Sequence, residues 1–380
     1  MIYWDNAATT WPKPMAVTEA MSRALTRYGA NPGRGGHTMG MAASREVYRC
    51  RETAAEFFHL DNPGQVVFTL NCTMAMNMAL KGILRTSGRV VVSDLEHNAV
   101  MRPLHVLSPG RPIYDVAQVT PGDDDQTVEA FRRCITPFTR AIVCTHASNV
   151  FGVQLPIRRL GELAREHDLL FVVDAAQTAG HLPVDFQAFG LSAMAVPGHK
   201  GLLGPGGVGA LLLRDDFAQK LTPLIAGGTG SASDSEYLPP YLPDRFESGT
   251  ANLPGCYGWE AALRFIEETG VDVLRQHERA LCARFLDGLA DISGVRLVGP
   301  RNMDRRVGVI SVDFLRRDNA EMAYALEAQY GILTRCGLHC APSAHKTLGT
   351  FPQGTVRFSL GWASTEADVD AALAAIRALA

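Results

Sequence analysis

The stretch Leu169-Leu170-Phe171-Val172-Val173-Asp174-Ala175-Ala176-Gln177 decides the fold, because it begins as an uninterrupted apolar run and ends in a carboxylate. Apolar runs without alternation are typical of strands buried on both faces. Comparable runs recur between about residues 60 and 215, separated by helical patterns such as 73–84 and 157–167. Strands that alternate with helices predict an α/β fold with a mainly parallel sheet. The seven strand candidates are Val66–Thr69, Arg89–Ser93, Ile113–Val116, Ala141–Thr145, Leu169–Asp174, Ala193–Val196 and Val208–Leu213.

The remainder of the chain predicts a second, smaller unit. Residues 227–255 are rich in Gly, Ser and Pro, and irregular segments of this length usually have a functional or interface role. Helix and strand patterns of an α+β unit follow them. We predict a large domain over residues 15–255, and a small domain formed by residues 1–14 together with 256–380. The later helices are expected at 258–268, 271–289, 319–330 and from 365, and the later strands at 295–298, 308–314 and 355–360.

Composition restricts the class of protein and its partners. The chain has 380 residues, of which 47% are hydrophobic, and a net charge of −3. This charge disfavours nucleic-acid and anionic-membrane partners. The first residues lack the basic and apolar stretches of a signal peptide, and the most apolar run, 201–213, is short and broken by Pro205. We therefore expect a soluble, cytoplasmic protein.

The eight cysteines indicate reduced thiols, since no Cys-x-x-Cys occurs and no secretory signal is recognised. Four residues close in sequence, Cys336, His339, Cys340 and His345, could be interpreted as metal ligands. Their spacing fits no common zinc pattern, and a second ligand pair is missing. We expect no metal site.

Two polar residues follow predicted strands at the sheet edge where ligands bind in open parallel sheets. Thr73 begins a helix after the strand 66–69. Its hydroxyl and the helix N–H groups would suit a phosphate, although threonine at this place also simply caps helices. Asp174 could pair with a protonated ring nitrogen or act as a helix N-cap, and the residues alone leave both interpretations open.

Lys200 lies in the glycine-rich turn 197–207 after another strand. Arginine cannot form a Schiff base, and only five of the 36 basic residues are lysines. A desolvated lysine near other charges loses its proton and acts as nucleophile, Schiff-base partner or general base. The alternative is a phosphate-binding lysine, but the Gly-Lys-Ser/Thr of a P-loop is absent. The other lysines, in less distinctive settings, are Lys13, Lys81, Lys220 and Lys346.

Further motifs extend this pattern over nearly the whole chain, in a consistent order. They are Tyr3–Thr10, Glu96-His97, Thr145–Gly152, Val173–Gln177, Gly198-His199-Lys200, Glu247–Thr250, Arg335–Ala341 and Val356–Gly361. Together they resemble the cysteine desulfurase and selenocysteine lyase family, within the class-V, aspartate-aminotransferase-like pyridoxal enzymes of fold type I. The resemblance implies a pyridoxal 5′-phosphate enzyme that converts L-cysteine, or selenocysteine, to alanine.

The resemblance also implies roles around the cofactor ring. Lys200 would form the Schiff base and move protons, Asp174 would pair with the ring nitrogen, and His97 would stack on the ring. Gln177 would contact the ring oxygen, and Asn149 would orient the cofactor or the substrate. With Asp174 and Lys200 both present, a catalytically silent sulfur-carrier scaffold is disfavoured.

Other roles implied by the resemblance concern the phosphate, the substrate and the sulfur. Thr73 and His199 would hold the phosphate, joined by Thr250 from the other subunit of a homodimer. Arg357 would clamp the substrate carboxylate, which suits its bidentate fork. Cys340 would attack the substrate sulfur as a thiolate and leave as a persulfide. A sulfur-acceptor protein or a small thiol would then receive the sulfur.

Three positions depart from the pattern of relatives. Pro197 stands where many have a serine hydroxyl on the phosphate, and Leu338 where a related branch has a histidine. Cys336 is an added thiol, either a second sulfur acceptor or only a neighbour. The main alternative function is a C–S β-lyase, or another class-V enzyme, which would not need Cys340.

Overall fold

The computed structural model describes residues 1–33, 36–84 and 88–380. We number its strands and helices in chain order. The strands are β1 (Ile2–Tyr3), β2 (Val66–Thr69), β3 (Arg89–Ser93), β4 (Tyr114–Ala117), β5 (Thr139–Thr145), β6 (Leu170–Asp174), β7 (Ala193–Pro197), β8 (Gly209–Leu213), β9 (Val295–Val298), β10 (Val309–Phe314), β11 (Ile332–Leu333), β12 (Arg335–Gly337) and β13 (Thr355–Ser359).

The α-helices alternate with these strands in the first half of the chain and become longer in the second half. They are α1 (Met15–Thr26), α2 (Thr38–Phe57), α3 (Cys72–Ile83), α4 (Asn98–Leu107), α5 (Asp124–Cys134), α6 (Ile157–Glu166), α7 (Asp215–Lys220), α8 (Leu253–Thr269), α9 (Val271–Ala290), α10 (Asn319–Tyr330), α11 (Pro342–Thr347) and α12 (Glu366–Leu379). None of the described helices is long and apolar enough to cross a membrane.

A seven-stranded sheet in the order β2-β8-β7-β6-β5-β3-β4 forms the centre of the molecule. Only β8 runs antiparallel to its neighbours β2 and β7. The predicted α/β fold with a mainly parallel seven-stranded sheet is therefore confirmed, and the strand limits differ from the prediction by no more than one or two residues. Because β7 and β8 are buried throughout, their sequences have no polar alternation.

A second sheet, in the order β12-β13-β10-β9, is antiparallel throughout. Its core includes Phe285 of α9 and Phe358 of β13, and the buried Trp4 joins both of them from the N-terminus. Helix α8 instead packs on α1 and α2, and its Trp259 belongs to the core of the large sheet. The division of the chain at residue 255 stays a prediction.

Candidate active site

A cavity of about 210 Å³ lies where the carboxyl ends of β5, β6 and β7 face the second sheet. We call its two sides the cofactor wall and the thiol wall. The cofactor wall is formed by Asn71, Cys72, Thr73, His97, Thr145, Asp174, Gln177, Pro197, His199 and Lys200. The thiol wall is formed by Asn149, Arg335, His339, Cys340 and Arg357. Sequence patterns predicted nine of these residues as functional, and the fold brings all nine to one cavity.

Asp174 ends β6 in the middle of the cofactor wall and is buried. Its Oδ1 accepts a hydrogen bond from the backbone N–H of Ala176 (2.9 Å) and one from the thiol of Cys72 (3.3 Å). Burial, and then the negative charge of Asp174, raise the pKa of Cys72, so this thiol stays protonated and donates. No sequence pattern pointed to Cys72 beyond its position beside Thr73.

Lys200 lies in the turn after β7 and reaches the cavity. Its carbonyl oxygen accepts hydrogen bonds from the N–H of Leu203 (2.8 Å) and the hydroxyl of Thr10 (2.9 Å). Gly201 is required beside it, since a Cβ there would collide with the carbonyl oxygen of Ala179. Burial lowers the pKa of the Lys200 amine, and the attraction of Asp174 only partly offsets this effect. The amine is therefore poised to lose its proton.

His97 is the N-cap of α4, where its Nδ1 accepts from the N–H of Ala99 (2.9 Å). Burial lowers the pKa of His97 to about 4, so the ring facing the cavity is neutral at neutral pH. Behind it, Glu96 is fully buried and accepts from the N–H of Thr145 (3.0 Å). Burial raises the pKa of Glu96 to about 8, which adds a neutral carboxylic acid beneath the cavity.

One end of the cofactor wall has the features of an anion site. Thr73 lies in the first turn of α3, and Asn71 caps this helix by accepting from the N–H of Met74 (2.9 Å). The uncompensated N–H groups of a helix start favour negative charge. His199 lines the same cavity, and burial lowers its pKa to about 4. Pro197 lines the same end and has no side-chain donor.

The thiol wall carries two arginines directly opposite each other, Arg335 on β12 and Arg357 on β13. Arg357 is almost completely buried, and its Nη1 donates to the carbonyl oxygen of Asn149 (3.1 Å). Its Nη2 pairs with Asp5 Oδ1 (2.6 Å). Like charges directly opposite on neighbouring strands repel unless an anion compensates them. The sequence reasoning assigned Arg357 but gave no role to Arg335 or Asp5.

Cys340 is the only exposed cysteine among the described residues, and the other seven are buried or half-buried. It lies in a tight turn in which both His339 (φ +48°) and Cys340 (φ +59°) have left-handed backbone conformations. Two hydrogen bonds hold this turn, one from the loop after β5 and one from the start of α4. Asn149 Nδ2 donates to the carbonyl oxygen of His339 (2.7 Å), and the N–H of Asn98 donates to that of Cys340 (2.7 Å).

Cys336 has a different setting from Cys340. It follows Arg335 on β12, and because strand side chains alternate, it points to the face away from the cavity. Burial and the nearby Asp318 raise its pKa. Leu338 also lies outside the cavity lining. The position of Cys336 favours its interpretation as a mere neighbour of Cys340.

Two further predicted residues have distinct settings. Gln177 Nε2 donates to the carbonyl oxygen of Ala7 (3.1 Å), which ties the N-terminal segment to the cofactor wall. Thr250 is exposed and lines a separate groove, so within one chain it does not reach the cavity. Within the described part of the chain, no group of three or more His, Cys, Asp or Glu side chains is arranged to hold a metal ion.

Comparison with protein families agrees with this geometry. Residues 2–372 match the model of the family described as aminotransferase class-V. The chain belongs to the aminotransferase class-V family. Since the match covers both sheets and both walls of the cavity, the whole arrangement described above is that of a class-V member.

Individual class-V relatives are similar over nearly their whole length. A protein of Methanothermobacter thermautotrophicus named probable cysteine desulfurase is 32% identical over 376 residues, which cover 97% of this chain and 92% of the relative. A probable cysteine desulfurase of Pyrococcus abyssi is also 32% identical, with 94% and 89% covered.

Solved structures of cysteine desulfurases are also similar to this chain over nearly its whole length. An apo structure of cysteine desulfurase from Thermococcus onnurineus superposes with a TM-score of 0.91 at 31% identity, over 100% of this chain and 94% of the other. The cysteine desulfurase CsdA from Escherichia coli superposes with a TM-score of 0.86 at 28% identity, over 99% of this chain and 94% of the other.

Proposed function

We propose that this class-V chain is a pyridoxal 5′-phosphate-dependent cysteine desulfurase, which transfers sulfur from L-cysteine to Cys340 and releases L-alanine. One observation carries the proposal. The exposed thiol of Cys340 lines the same cavity as Lys200 and Asp174, so a sulfur acceptor and a cofactor site share one reaction space. The names of the similar proteins support the same reaction.

The donor set of the cofactor wall fits pyridoxal phosphate. The amine of Lys200 can bond to the aldehyde of the cofactor. The carboxylate of Asp174 can pair with the ring nitrogen, and the neutral ring of His97 can stack on the flat face of the ring. The N-terminus of α3 with Thr73, together with His199, matches a phosphate. Bound there, the cofactor supplies an electron sink for the bond changes at the substrate carbons. Pro197 contributes no hydroxyl, so backbone N–H groups take a larger share of the phosphate contacts.

In this assignment Lys200 holds and moves the proton of the substrate Cα. Its amine is suited to this step because burial lowers its pKa. The carboxylate of Asp174 would pair with the ring nitrogen of the bound cofactor. Its Oδ1 also accepts hydrogen bonds from Ala176 and Cys72, which hold the carboxylate in place.

The thiol wall binds and attacks the substrate. Arg357 holds the substrate carboxylate, since its buried Nε has no partner among the described residues. Asn149 can contact the cofactor or substrate through its Oδ1, because its Nδ2 donates to the carbonyl oxygen of His339 in the turn that carries Cys340. The thiolate of Cys340 then forms an S–S bond as the substrate C–S bond breaks. The electron pair of that bond stays on carbon, which takes up a proton to give alanine.

A second copy of this chain and a sulfur acceptor complete the proposed enzyme. Thr250 lines a groove of about 550 Å³ with Tyr48 and Leu70, whose exposures of 54% and 60% are high for large apolar side chains. A homodimer that covers this groove would bring Thr250 to the phosphate of the other subunit. An acceptor protein or small thiol would approach at the exposed Cys340, in the cytoplasm.

Product analysis tests the proposal. The purified, cofactor-loaded protein is incubated with L-cysteine and a thiol reductant, and alanine, sulfide, pyruvate and ammonia are quantified. Equal amounts of alanine and sulfide are expected. Pyruvate with ammonia would instead establish a C–S β-lyase and remove any need for Cys340. Light scattering during size-exclusion chromatography tests the dimer, which a stable, active monomer would contradict.

A further inference from the structure

The segment Trp4–Thr10, which we call the N-terminal strap, lines the cavity with Ala7 and Ala8. Near its start, Asn6 Nδ2 donates to the carbonyl oxygen of Ser359 on β13 (2.9 Å). At its end, the hydroxyl of Thr10 donates to the carbonyl oxygen of Lys200 (2.9 Å). The strap therefore ties the strand that carries Arg357 to the turn that carries the reactive amine.

The strap contributes one charged side chain to the thiol wall. Asp5 Oδ1 lies 2.6 Å from Arg357 Nη2, and the two side chains are 23% and 1% exposed. Arg357 Nη1 donates to the carbonyl oxygen of Asn149 (3.1 Å), so two of its three nitrogens have fixed partners. The third, Nε, is buried without a partner among the described residues. A buried donor of this kind indicates a ligand that supplies the missing acceptor.

Electrostatics gives Asp5 a larger role than that of an ordinary ion-pair partner. Arg335 stands directly opposite Arg357, so two guanidinium groups share one buried wall. Burial and the charge of Arg335 both lower the pKa of Arg357, and Asp5 opposes them. Without Asp5, repulsion would turn the Arg357 side chain away from Arg335 and change the direction of its free donors.

We propose that Asp5 is a positioning residue, which holds the Arg357 guanidinium in the orientation that receives the carboxylate of the amino-acid substrate. This inference rests on the proposed role of Arg357. It excludes the opposite effect, in which Asp5 competes with the substrate carboxylate for the same guanidinium. The two effects change substrate affinity in opposite directions, and a single substitution separates them.

The experiment compares Asp5→Asn with the wild-type holoenzyme. The probe is 3-mercaptopropionate, a cysteine analogue that keeps the carboxylate and thiol but has no amine to react with the cofactor. Its dissociation constant is expected to rise about tenfold, because a charge-assisted bond that orients the arginine is lost. The KM for L-cysteine should rise by a similar factor, whereas kcat should stay within about twofold.

Two further variants make the result specific. Asp304→Asn removes an exposed ion pair with Arg279 (2.8 Å), and it should leave both constants unchanged. Asp5→Glu retains the charge and should recover part of the affinity, which a purely structural role would not require. Thermal denaturation of each variant reports whether the fold is kept, and Asp5→Ser, which also removes the charge, replaces Asp5→Asn in the test if the latter does not fold.

The outcomes separate this inference from the proposed function. Unchanged or tighter probe binding in Asp5→Asn, with weaker binding in Arg357→Ala, would overturn the positioning role of Asp5 alone. Unchanged binding in Arg357→Ala would show that this arginine does not hold the carboxylate, and both assignments would fall. Weaker binding in both variants is the expected result.

Discussion

The cofactor wall and the thiol wall reach one cavity by different structural means. The cofactor wall is the carboxyl edge of a buried, mainly parallel sheet, where Asp174 ends β6 and Lys200 lies in the turn after β7. The thiol wall is a short antiparallel sheet and a turn, in which Cys340 is held in a left-handed conformation. The first wall presents buried groups with shifted pKa values, and the second presents an accessible nucleophile. In the proposed enzyme, the cofactor would therefore be held by a buried sheet edge, and the sulfur would be delivered from an accessible turn.

Lys200→Ala should have the largest effect, and it should disable the cofactor wall alone. Turnover of L-cysteine should be lost almost completely, together with the visible absorption that a lysine-bound pyridoxal gives. Absorption spectra and alanine assays measure both effects. Lys220→Ala in α7 is the control and should behave as the wild type. Full activity without the amine of Lys200 would contradict the assignment of this wall.

Cys340→Ala should disable the thiol wall alone. Alanine formation from L-cysteine should fall by at least about a hundredfold, since a missing nucleophile cannot be replaced by binding energy. The cofactor spectrum should remain, because no atom of the cofactor wall is changed. Cys336→Ala is the matched control, since Cys336 points away from the cavity, and it should keep full activity. An equal loss of activity in Cys336→Ala would contradict the specific role of Cys340, and loss of the cofactor spectrum in Cys340→Ala would show that the walls are not independent.

Strand order pointed to Thr73, Asp174 and Lys200, because a polar residue at the end of an apolar strand lies at the binding edge of a parallel sheet. His97, Gln177 and His199 were implied only by the resemblance to a known family. Arg335, Asp5 and Cys72 had no such signal, since their proximity depends on the β12–β13 register and on the strap. Helix α2 was also not predicted. Its buried side chains are mostly small, and its N-cap is His37, which is not a usual capping residue.

Glu96→Gln should change the pH dependence of the free energy of unfolding rather than the chemistry of the cofactor wall. The pKa of Glu96 is raised to about 8 by burial, so the folded state holds a proton that the unfolded state loses near pH 4.5. The contribution of protonated Glu96 to the free energy of unfolding is fully present below pH 4.5 and is lost as the pH rises towards 8. The variant, which stays neutral, should gain roughly 4 kcal/mol relative to the wild type between pH 5 and pH 8.5.

Thermal denaturation of both proteins at several pH values measures this effect. The control is Glu327→Gln, because Glu327 is exposed on α10 and its substitution should not alter the pH dependence. Parallel stability curves for wild type and Glu96→Gln would show that Glu96 is ionised in the folded protein.

Cys72→Ala should have the smallest effect, confined to the cofactor wall. It removes the S–H donor to Asp174 Oδ1, which is a weak hydrogen bond, while the N–H of Ala176 remains. Pyridoxal phosphate should bind about threefold more weakly, as measured by cofactor release during dialysis. Cys72→Ser keeps a donor and should retain the wild-type affinity. A larger loss in the serine variant would indicate that the sulfur itself is needed.

The most direct test of the two-wall account is mass spectrometry of the holoenzyme after one equivalent of L-cysteine, without reductant. The account predicts one added sulfur atom on Cys340, none on Cys336 or Cys72, and one alanine released per sulfur gained. Alanine or pyruvate formed while Cys340 stays unmodified would contradict it, because the sulfur would then leave the cavity without passing through the thiol wall.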